Sequence, residues 1–263
     1  MFKLLKRDNG FTHVCGHRGH SIASPENSLA ALEATVRHGG TTAEIDVMLT
    51  KDDQIVLMHD LTVDRTTDGS GLVSAHTLAE LQTLETGAWF APEFAGTRVP
   101  SLEQTLTWAR GKLGLVVEIK EMWRVERLVE CLADLLERTN AYDHAIFISF
   151  DHRVLRDLKQ ALPRIRTEAI THERFADPVA TLRAAQVDSC SIELGMFHPD
   201  DAQALHAADI AIRLHLPRPA TLERFAQLGI DWESRVGAWL EAGLVDSLSG
   251  DDVAFLAALV SDH

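Results

Sequence analysis

Residues 44–60 read EIDVMLTKDDQIVLMHD, and this stretch decides how the rest of the sequence is interpreted. It begins as a strand, in which side chains alternate between two faces, so the carboxylates of Glu44 and Asp46 point the same way. Residues 51–54 are polar and predict a turn, and the apolar residues 55–58 predict a returning strand. The stretch therefore predicts a hairpin with two carboxylates on one face.

The turn sets which residues of this hairpin meet. A two-residue turn at positions 52–53 places Asp46 opposite His59 on the returning strand. Opposed side chains on one face lie about 5 Å apart at Cβ. Glu44, Asp46 and His59 would then share one small volume, which suits a divalent cation with a proton carrier beside it.

The charge balance limits the classes of partner. The chain has 263 residues, with 25 Lys and Arg against 39 Asp and Glu and a formal net charge of −14. Proteins that bind nucleic acid present a basic patch, so we expect no nucleic-acid partner. An anionic small molecule remains compatible with this charge, because a metal ion and a few cationic side chains can set the local sign.

The cysteines and the chain start indicate the compartment. Cys15, Cys131 and Cys190 are widely spaced and odd in number, which predicts reduced thiols in a reducing compartment. Residues 1–8 are basic, but no apolar stretch follows them, so we expect no signal peptide. No apolar run approaches the roughly 18 residues of a membrane span. These features predict a cytoplasmic protein without stable membrane insertion. They are compatible with any oligomeric state.

Alternating elements predict the fold. After Pro100, helical and strand patterns follow one another regularly, which is typical of a parallel sheet. Eight strands are predicted, beginning at or near residues 14, 44, 115, 145, 167, 190, 210 and 244. Eight such units favour a closed (β/α)₈ TIM barrel, with residues 1–263 as one domain. The alternative, an open doubly wound sheet, would favour a Gly-rich loop after the first strand, and none is present.

Residues 61–99 interrupt the alternation. They are rich in Thr, Gly and Asp and contain one short helical pattern, at residues 78–84. Such an irregular segment predicts an insertion, and its position after His59 and Asp60 places it at the C-terminal mouth of the barrel. Residues 89–90, Trp and Phe, form either a lid that contacts substrate or the insertion's own core, and we favour the core.

Barrel enzymes carry their chemistry at the C-terminal ends of the strands. The ends of the first three predicted parallel strands, with the returning strand of the hairpin, carry seven polar candidates: His17, Arg18, Glu44, Asp46, His59, Glu118 and Lys120. Three close carboxylates repel one another, and a divalent cation removes that conflict. Oxygen ligands favour Mg²⁺ or Ca²⁺ over zinc, so we predict one such cation held by the three carboxylates.

The remaining candidates suit a phosphate group. Arg18 and Lys120 require an anion, and a phosphate beside the cation supplies it. Two histidines on either side of a phosphate form a general base and a general acid. The set therefore predicts cleavage of a phosphodiester, and we favour His17 as the base and His59 as the acid, although the residues themselves also allow the reverse.

The first 150 residues resemble the glycerophosphodiester phosphodiesterases. The matching segments, in the family's order, are HRG at 17–19, PENS at 25–28, EIDV at 44–47, HD at 59–60, RTT at 65–67, VPSLE at 99–103, EIK at 118–120 and SF at 149–150. Each segment alone is weakly specific, but together they are highly specific.

The resemblance implies the fold and the reaction. It implies a (β/α)₈ barrel with an insertion after His59 and Asp60, and metal-dependent hydrolysis of glycerophosphodiesters to glycerol 3-phosphate and an alcohol. It implies a divalent cation at the residues matching Glu44, Asp46 and Glu118. It also implies acid and base roles for those matching His17 and His59, and phosphate contacts from those matching Arg18 and Lys120.

The last hundred residues depart from the family pattern. Members commonly have a WTVN-like segment on the seventh strand, where residues 213–216 read RLHL; the last strand commonly ends G-(I/V)-x-T-D, where residues 244–250 read LVDSLSG. These segments shape the pocket for the alcohol. We therefore predict weak preference among choline, ethanolamine and glycerol arms, polar contacts from Arg213 or His215, and sharper selection if an aromatic replaces His215.

Two other functions remain open at this point. One is action on another lipid-derived phosphodiester, as in lysophospholipase D or sphingomyelinase D; the latter enzymes typically have a shorter connection after the matching histidine and Asp at the position of Glu118. The other is a non-catalytic barrel that binds a phosphate ligand. Such a barrel would be expected to lack a histidine or carboxylate, and here every polar position is filled.

The other polar residues have structural interpretations. Asn27 is expected to cap the first helix, and Glu26 has either that role or one in the site. Asp60 is expected to orient His59 or to cap a turn. The histidines without acidic neighbours in the pattern are expected to be surface or hydrogen-bonded residues: His20, His76, His144, His172, His198 and His206.

Overall fold

A computed structural model describes residues 3–263, and a closed sheet lies at its centre. The first strand pairs in parallel with both the second and the last, which closes the barrel and rules out the open sheet. Eight of the described strands are parallel, and β3 is antiparallel to β2. The TIM-barrel prediction is confirmed. In chain order the strands are β1 His13–Gly16, β2 Thr42–Leu49, β3 Ile55–Leu57, β4 Gly114–Ile119, β5 Ala145–Ser149, β6 Arg166–Thr171, β7 Ser189–Glu193, β8 Ala211–His215 and β9 Ser247–Gly250.

Several helices begin where a polar side chain accepts a hydrogen bond from a free N–H group of the first turn. Ser28, Ser101 and Asp151 do this for three of them. Over the described residues the helices are α1 Lys6–Asn9, α2 Leu29–Arg37, α3 Leu78–Leu81, α4 Leu102–Ala109, α5 Val125–Thr139, α6 His152–Ala161, α7 Pro178–Ala184, α8 Pro199–Ala207, α9 Pro219–Gln227, α10 Trp232–Glu241 and α11 Val253–Ser261. None of them is long and apolar enough to cross a bilayer.

The core lies between the barrel and its helices. Every residue of β2 and β5 is buried, because their outer faces pack on helices and their inner faces fill the barrel. On α5 the leucines recur at helical spacing, so that one apolar stripe faces the sheet: Leu128, Leu132, Leu135 and Leu136 are all buried. This packing holds the strand ends, and hence the site, in place.

The end of the chain differs from the predicted boundaries. The last strand is expected from residue 244, but β9 begins three residues later, because Leu244 and Val245 pack in the apolar core ahead of the strand. Two helices, α9 and α10, lie between β8 and β9 and are separated at Gly229, whose positive φ of 79° ends the first of them.

The hairpin of β2 and β3 has a different turn from the predicted one. Residues 51–53 form a three-residue loop in which Asp53 takes a left-handed conformation with φ of 56°, which Asp tolerates better than most residues. The register shifts by one, so that Met58 donates its N–H to the carbonyl of Asp46 at 3.0 Å. His59 therefore lies one position beyond the residue opposite Asp46, and the predicted pairing of Asp46 with His59 is wrong.

The segment between β3 and α4 packs on this hairpin. It contains α3 and two short 3₁₀ helices, Val73–Ala75 and Pro92–Phe94. Its apolar residues form a cluster with the outer face of the hairpin, made of Met48, Val56, Met58, Val63, Val73, Leu81 and Val99. The segment is thus anchored to the strands that carry Asp46 and lead to His59.

Candidate active site

Three carboxylates meet inside the barrel mouth. Glu44 and Asp46 lie on β2, and Glu118 lies directly beside Asp46 on β4. One oxygen from each lies within 4.8 Å of the others, and all three residues are buried. Glu44 Oε1 and Asp46 Oδ1 have no hydrogen-bond partner among the described residues. Buried carboxylate oxygens without a partner are costly, and oxygen ligands of this kind fit Mg²⁺ or Ca²⁺.

The electrostatics of Glu44 lead to the same conclusion. Burial and then the charge of Asp46 raise the pKa of Glu44 to about 8. A carboxyl in this state keeps its proton at neutral pH unless a positive charge compensates it. The cluster therefore favours a cation beside Glu44.

Neighbouring groups fix the orientation of two of these carboxylates. The backbone N–H of Arg18 donates to Glu44 Oε2 at 2.8 Å. The amide of Asn27 donates to Asp46 Oδ2 at 2.7 Å and accepts from the backbone N–H of Asp46 at 3.0 Å. The predicted capping role of Asn27 is wrong, because Ser28 caps α2 and Asn27 turns into the site with a φ of 53°.

His17 lies at the end of β1 and is held by an acid from the other end of the chain. Its Nδ1 donates to Asp251 Oδ1 at 2.7 Å, which leaves Nε2 4.0 Å from Glu44 Oε2. Burial opposes protonation of His17, but the hydrogen bond to Asp251 and the charge of Glu44 raise its pKa. Arg218 donates to the other oxygen of Asp251 at 2.5 Å. Although burial acts in the opposite direction, the bonds from His17 and Arg218 hold the pKa of Asp251 well below its usual range.

His59 has the same arrangement of partners. Its Nδ1 donates to Asp60 Oδ1 at 2.6 Å, and Arg65 donates from Nε to Asp60 Oδ2 at 2.6 Å. The bond from Arg65 and the bond from His59 lower the pKa of Asp60 to about 2. Arg65 also donates to both oxygens of Glu26, at 2.7 and 2.8 Å. Each histidine thus has a carboxylate on Nδ1 and an arginine behind that carboxylate.

Two positively charged side chains lie beside the carboxylates. Lys120 Nζ is 2.9 Å from Glu118 and 3.8 Å from Asp46. Arg18 donates from Nη1 to Glu26 at 2.8 Å, and its Nε is buried without a hydrogen-bond partner in the described part of the chain, 3.5 Å from Asp46. An unpartnered buried donor beside an acidic cluster leaves Arg18 able to bind a further anion.

A cavity of about 330 Å³, here called the inner cavity, connects these groups. Six of the seven predicted residues line it: His17, Arg18, Glu44, His59, Glu118 and Lys120; the seventh, Asp46, completes the carboxylate cluster. The remaining wall includes Phe150, His172, Glu193 and His215. His172 is exposed and hydrogen-bonded, as the sequence predicts, but its partner is the carboxylate of Glu193 and it lines the cavity, and neither of these was predicted.

A second cavity of about 410 Å³, the outer cavity, shares His17 and Arg18 with the first. Its other wall comes partly from the segment after β3, through Arg65, Trp89 and Phe90. The rings of Trp89 and Phe90 contact each other edge to face at 5.8 Å between centroids. These two residues therefore pack together, as the favoured interpretation predicts, and also line a cavity, as the alternative of a lid predicts.

Sequence reasoning missed Asp251, Arg218 and Glu193. Asp251 directly follows β9 and Glu193 ends β7, so both lie where barrel enzymes place functional groups. A correct boundary for the last strand would have singled out Asp251. Arg213, expected to face a polar alcohol, lines the inner cavity but is buried, and it donates to Glu168 at 2.8 and 2.5 Å.

Known proteins are similar to this chain in sequence and in fold. The profile of the Glycerophosphoryl diester phosphodiesterase family matches residues 17–248. The glycerophosphodiester phosphodiesterase of Caldanaerobacter subterraneus subsp. tengcongensis is 39% identical over 157 residues, which are 59% of this chain and 65% of that protein. This alignment spans slightly less than two thirds of the relative's length.

Solved structures match over nearly the whole chain. A glycerophosphodiester phosphodiesterase from Agrobacterium tumefaciens str. C58 superimposes with a TM-score of 0.79 at 25% identity, covering 94% of this chain and 100% of that one. An Oleispira antarctica phosphodiesterase, solved in complex with the product sn-glycerol-3-phosphate, gives a TM-score of 0.80 at 24% identity, covering 97% and 98%. The chain belongs to the glycerophosphoryl diester phosphodiesterase family and is an enzyme of the phosphoric diester hydrolase class.

Proposed function

We propose that this protein hydrolyses glycerophosphodiesters to glycerol 3-phosphate and an alcohol, with a divalent cation at Glu44, Asp46 and Glu118. The observation that carries the proposal is the cluster of three buried carboxylates, two of them with unpartnered oxygens, beside two histidines in one cavity. The relatives named above support the substrate class, and the product bound to the Oleispira antarctica enzyme agrees with it.

The carboxylates define what the cation contributes. A bound divalent cation neutralises the carboxylate cluster and polarises a phosphoryl oxygen. Arg18 and Lys120 lie 3.5 and 3.8 Å from Asp46, where they bind the negative charge that the diester carries before and after cleavage. Mg²⁺ and Ca²⁺ both suit an all-oxygen site, and the proposal covers either.

The two histidines carry the protons. His17 accepts the proton of the attacking oxygen at Nε2, and Asp251 stabilises the imidazolium that results. His59 donates a proton to the oxygen of the leaving alcohol, and Asp60 holds its ring in position. Each ring is bound at Nδ1, so Nε2 remains for the substrate. This assignment of base and acid is the one that the sequence favours.

The direct test is release of glycerol 3-phosphate from a panel of glycerophosphodiesters, with and without exhaustive chelation. We expect release that chelation abolishes and that Mg²⁺ or Ca²⁺ restores. Glu118→Gln keeps the shape of the side chain and removes one charge, so cation affinity and activity should fall together. The matched control is Glu126→Gln, an exposed change on α5.

Three results would contradict the proposal. Full activity after exhaustive chelation would exclude the cation. Binding of phosphate ligands without turnover of any diester would favour a non-catalytic barrel. Turnover of acylated glycerophosphodiesters alone would instead favour the lysophospholipase D reaction.

A further inference from the structure

One wall of the inner cavity has no part in the proposed chemistry. Phe150 follows β5, His172 follows β6, and Glu193 ends β7. In the strand order of the barrel, β6 lies opposite β1, so this wall faces the groups that follow β1 and β2. We call these three residues the far wall. They border space that an arm of the substrate can occupy once its phosphate is bound at Arg18.

The far wall is built from contacts between its own members. His172 donates from Nδ1 to Glu193 Oε1 at 2.8 Å. The rings of Phe150 and His172 lie 4.8 Å apart at their centroids with 32° between their planes. His172 thus positions both the carboxylate and the aromatic ring. Among residues 3–263 the second oxygen of Glu193 accepts no hydrogen bond, and Phe150 is 46% exposed.

The distribution of charge distinguishes the far wall from the rest of the cavity. Three carboxylates line the inner cavity in the described chain: Glu44, Glu118 and Glu193. The first two belong to the cluster assigned to the cation, and Lys120 lies 2.9 Å from Glu118. Glu193 is therefore the one that remains for a ligand, and it lies beside an aromatic ring.

An aromatic ring beside a carboxylate binds organic cations. The ring attracts a positive charge over its face, and this attraction is strongest for ammonium groups with little hydration. The carboxylate adds an ion-pair contribution that stays modest at a solvent-accessible position. A quaternary ammonium group cannot donate hydrogen bonds, so these two interactions are the ones available to recognise it.

We propose that the far wall is a subsite for a positively charged alcohol arm of the diester, such as one that ends in choline or ethanolamine. The inference rests on the proposed function, because it names the class of diester that the same site prefers. Phosphate and ammonium are of opposite charge: Arg18 and Lys120 lie beside the carboxylate cluster, and the carboxylate of Glu193 lies at the far wall. Glu193 and Phe150 are specificity-determining residues in this proposal, and His172 is a positioning residue.

A competing interpretation is recognition of glycerol hydroxyl groups by Glu193 and His172. Every glycerophosphodiester carries that glycerol, so loss of Glu193 would then lower kcat/KM equally for all substrates. The comparison between charged and neutral alcohol arms separates the two interpretations.

The test measures kcat/KM for glycerophosphocholine, glycerophosphoethanolamine and glycerophosphoglycerol. We expect Glu193→Gln to lower the values for the first two on the order of tenfold, and to leave the neutral substrate within about twofold. Phe150→Leu should act most on the choline substrate. The matched control is Glu173→Gln, an exposed carboxylate close to His172 that does not line the cavity. Equal losses for all three substrates, or no loss, would overturn the proposal.

A binding measurement tests the far wall without turnover. Choline chloride is titrated into the cation-loaded protein, and saturation transfer to the choline methyl protons is followed by NMR, with sodium chloride at equal ionic strength as the reference. We expect saturable binding to the unmodified protein and to Glu173→Gln, and binding several-fold weaker in Glu193→Gln. Choline binding that is the same in all three proteins would overturn the subsite. Absence of hydrolysis of every diester would contradict the proposed function instead.

Discussion

Asp251 and His17 are hydrogen-bonded across the closure of the barrel, with 2.7 Å between Oδ1 and Nδ1, although 234 positions separate them in the chain. The contact exists because β9 pairs with β1, with Gly250 directly beside Gly16. The last strand, one of two segments that depart from the family pattern, therefore leads to the residue that positions the histidine after the first strand.

Replacing Asp251 by Asn should slow catalysis without releasing the cation. The amide keeps the shape but cannot stabilise the imidazolium form of His17. We expect kcat to fall by roughly 10²-fold, at the lower end of the range for loss of an acid or base group. The pKa of His17, which Asp251 helps to raise, should also fall, and this moves the limb of the pH–rate profile that reports His17 to lower pH.

The adjacent residue provides the control for this change. Asp252 caps α11 through a hydrogen bond from the N–H of Phe255, and Asn caps helices equally well. Asp252→Asn should therefore leave both turnover and the pH profile unchanged. Equal losses in the two variants would show that the effect of Asp251→Asn is structural.

His59→Ala should be sensitive to the leaving group. A choline or ethanolamine oxygen needs a proton to depart, whereas p-nitrophenolate does not. We expect a loss of about 10²–10⁴-fold with the poor leaving groups and a much smaller loss with a p-nitrophenyl diester. His17→Ala should lose similar amounts with both, because every substrate needs the base. If His17→Ala were sensitive to the leaving group and His59→Ala were not, His17 would be the acid and His59 the base.

The carboxylate cluster could be predicted because it depends on local spacing. Glu44 and Asp46 lie two residues apart on one strand, and the same spacing relates Glu118 to Lys120 on the neighbouring strand. Parallel strands in a barrel bring such positions to one end, so the grouping follows from the pattern alone. An error of one residue in the register of the hairpin did not matter, because His59 lies beyond the paired strands.

The far wall and Asp251 could not be predicted in the same way. Their partners lie on other strands, and a sequence gives no distance between the ends of β6 and β7 or between β9 and β1. The role of Asn27 was missed for a related reason: its left-handed backbone turns the amide away from the helix and towards Asp46, and Asn at this place in the chain is also a typical cap. Contacts between side chains on strands that are far apart in the sequence become visible only in the closed barrel.

Cation binding should release a proton at neutral pH. In the cation-free protein the pKa of Glu44 is raised to about 8 by burial and by Asp46, so the group is protonated at pH 7. The cation requires the carboxylate form, so affinity should rise close to tenfold per pH unit up to about pH 8 and then level off. Calorimetry in buffers with different ionisation enthalpies measures this directly. Binding at pH 7 without proton release would contradict the raised pKa.

The same group should affect the stability of the cation-free protein. The pKa of Glu44 is higher in the folded state than its ordinary value, so its contribution to stability is present at low pH and is lost as pH rises towards 8. With chelator present, the Tm of the unmodified protein should fall from pH 5 to pH 8 more than the Tm of Glu44→Gln. Added cation should raise the Tm of the former only. Parallel pH dependence in the two proteins would contradict this.

The ion pair of Arg213 and Glu168 should contribute to stability rather than to substrate choice. Both side chains are buried, and Ser189 donates to the second oxygen of Glu168 at 2.8 Å. Arg213→Met leaves that carboxylate buried without its cation, which should cost about 3–5 kcal/mol in the free energy of unfolding. The double variant Arg213→Met, Glu168→Leu should recover most of this loss. Urea unfolding measures both; a mild effect of the single variant would show that water reaches Glu168.

The last prediction concerns His215, at which the sequence favours a role in alcohol selection. Its ring contacts His17 edge to face at 5.3 Å, and its Nδ1 is hydrogen-bonded to Ser249 at 3.1 Å. Burial and then the neighbouring His17 lower the pKa of His215 to about 3, so it is neutral at any working pH and offers no charge to an alcohol arm. His215→Phe keeps the edge contact with His17 and loses one hydrogen bond. We therefore expect kcat to fall roughly fivefold, equally for choline, ethanolamine and glycerol arms, because the bond helps to position His17.

Ser249→Ala removes the same bond, keeps the imidazole and should give the same uniform loss. A change in the ratio of kcat/KM between these substrates beyond about tenfold in His215→Phe, without a similar change in Ser249→Ala, would show that the ring of residue 215 contacts the alcohol after all.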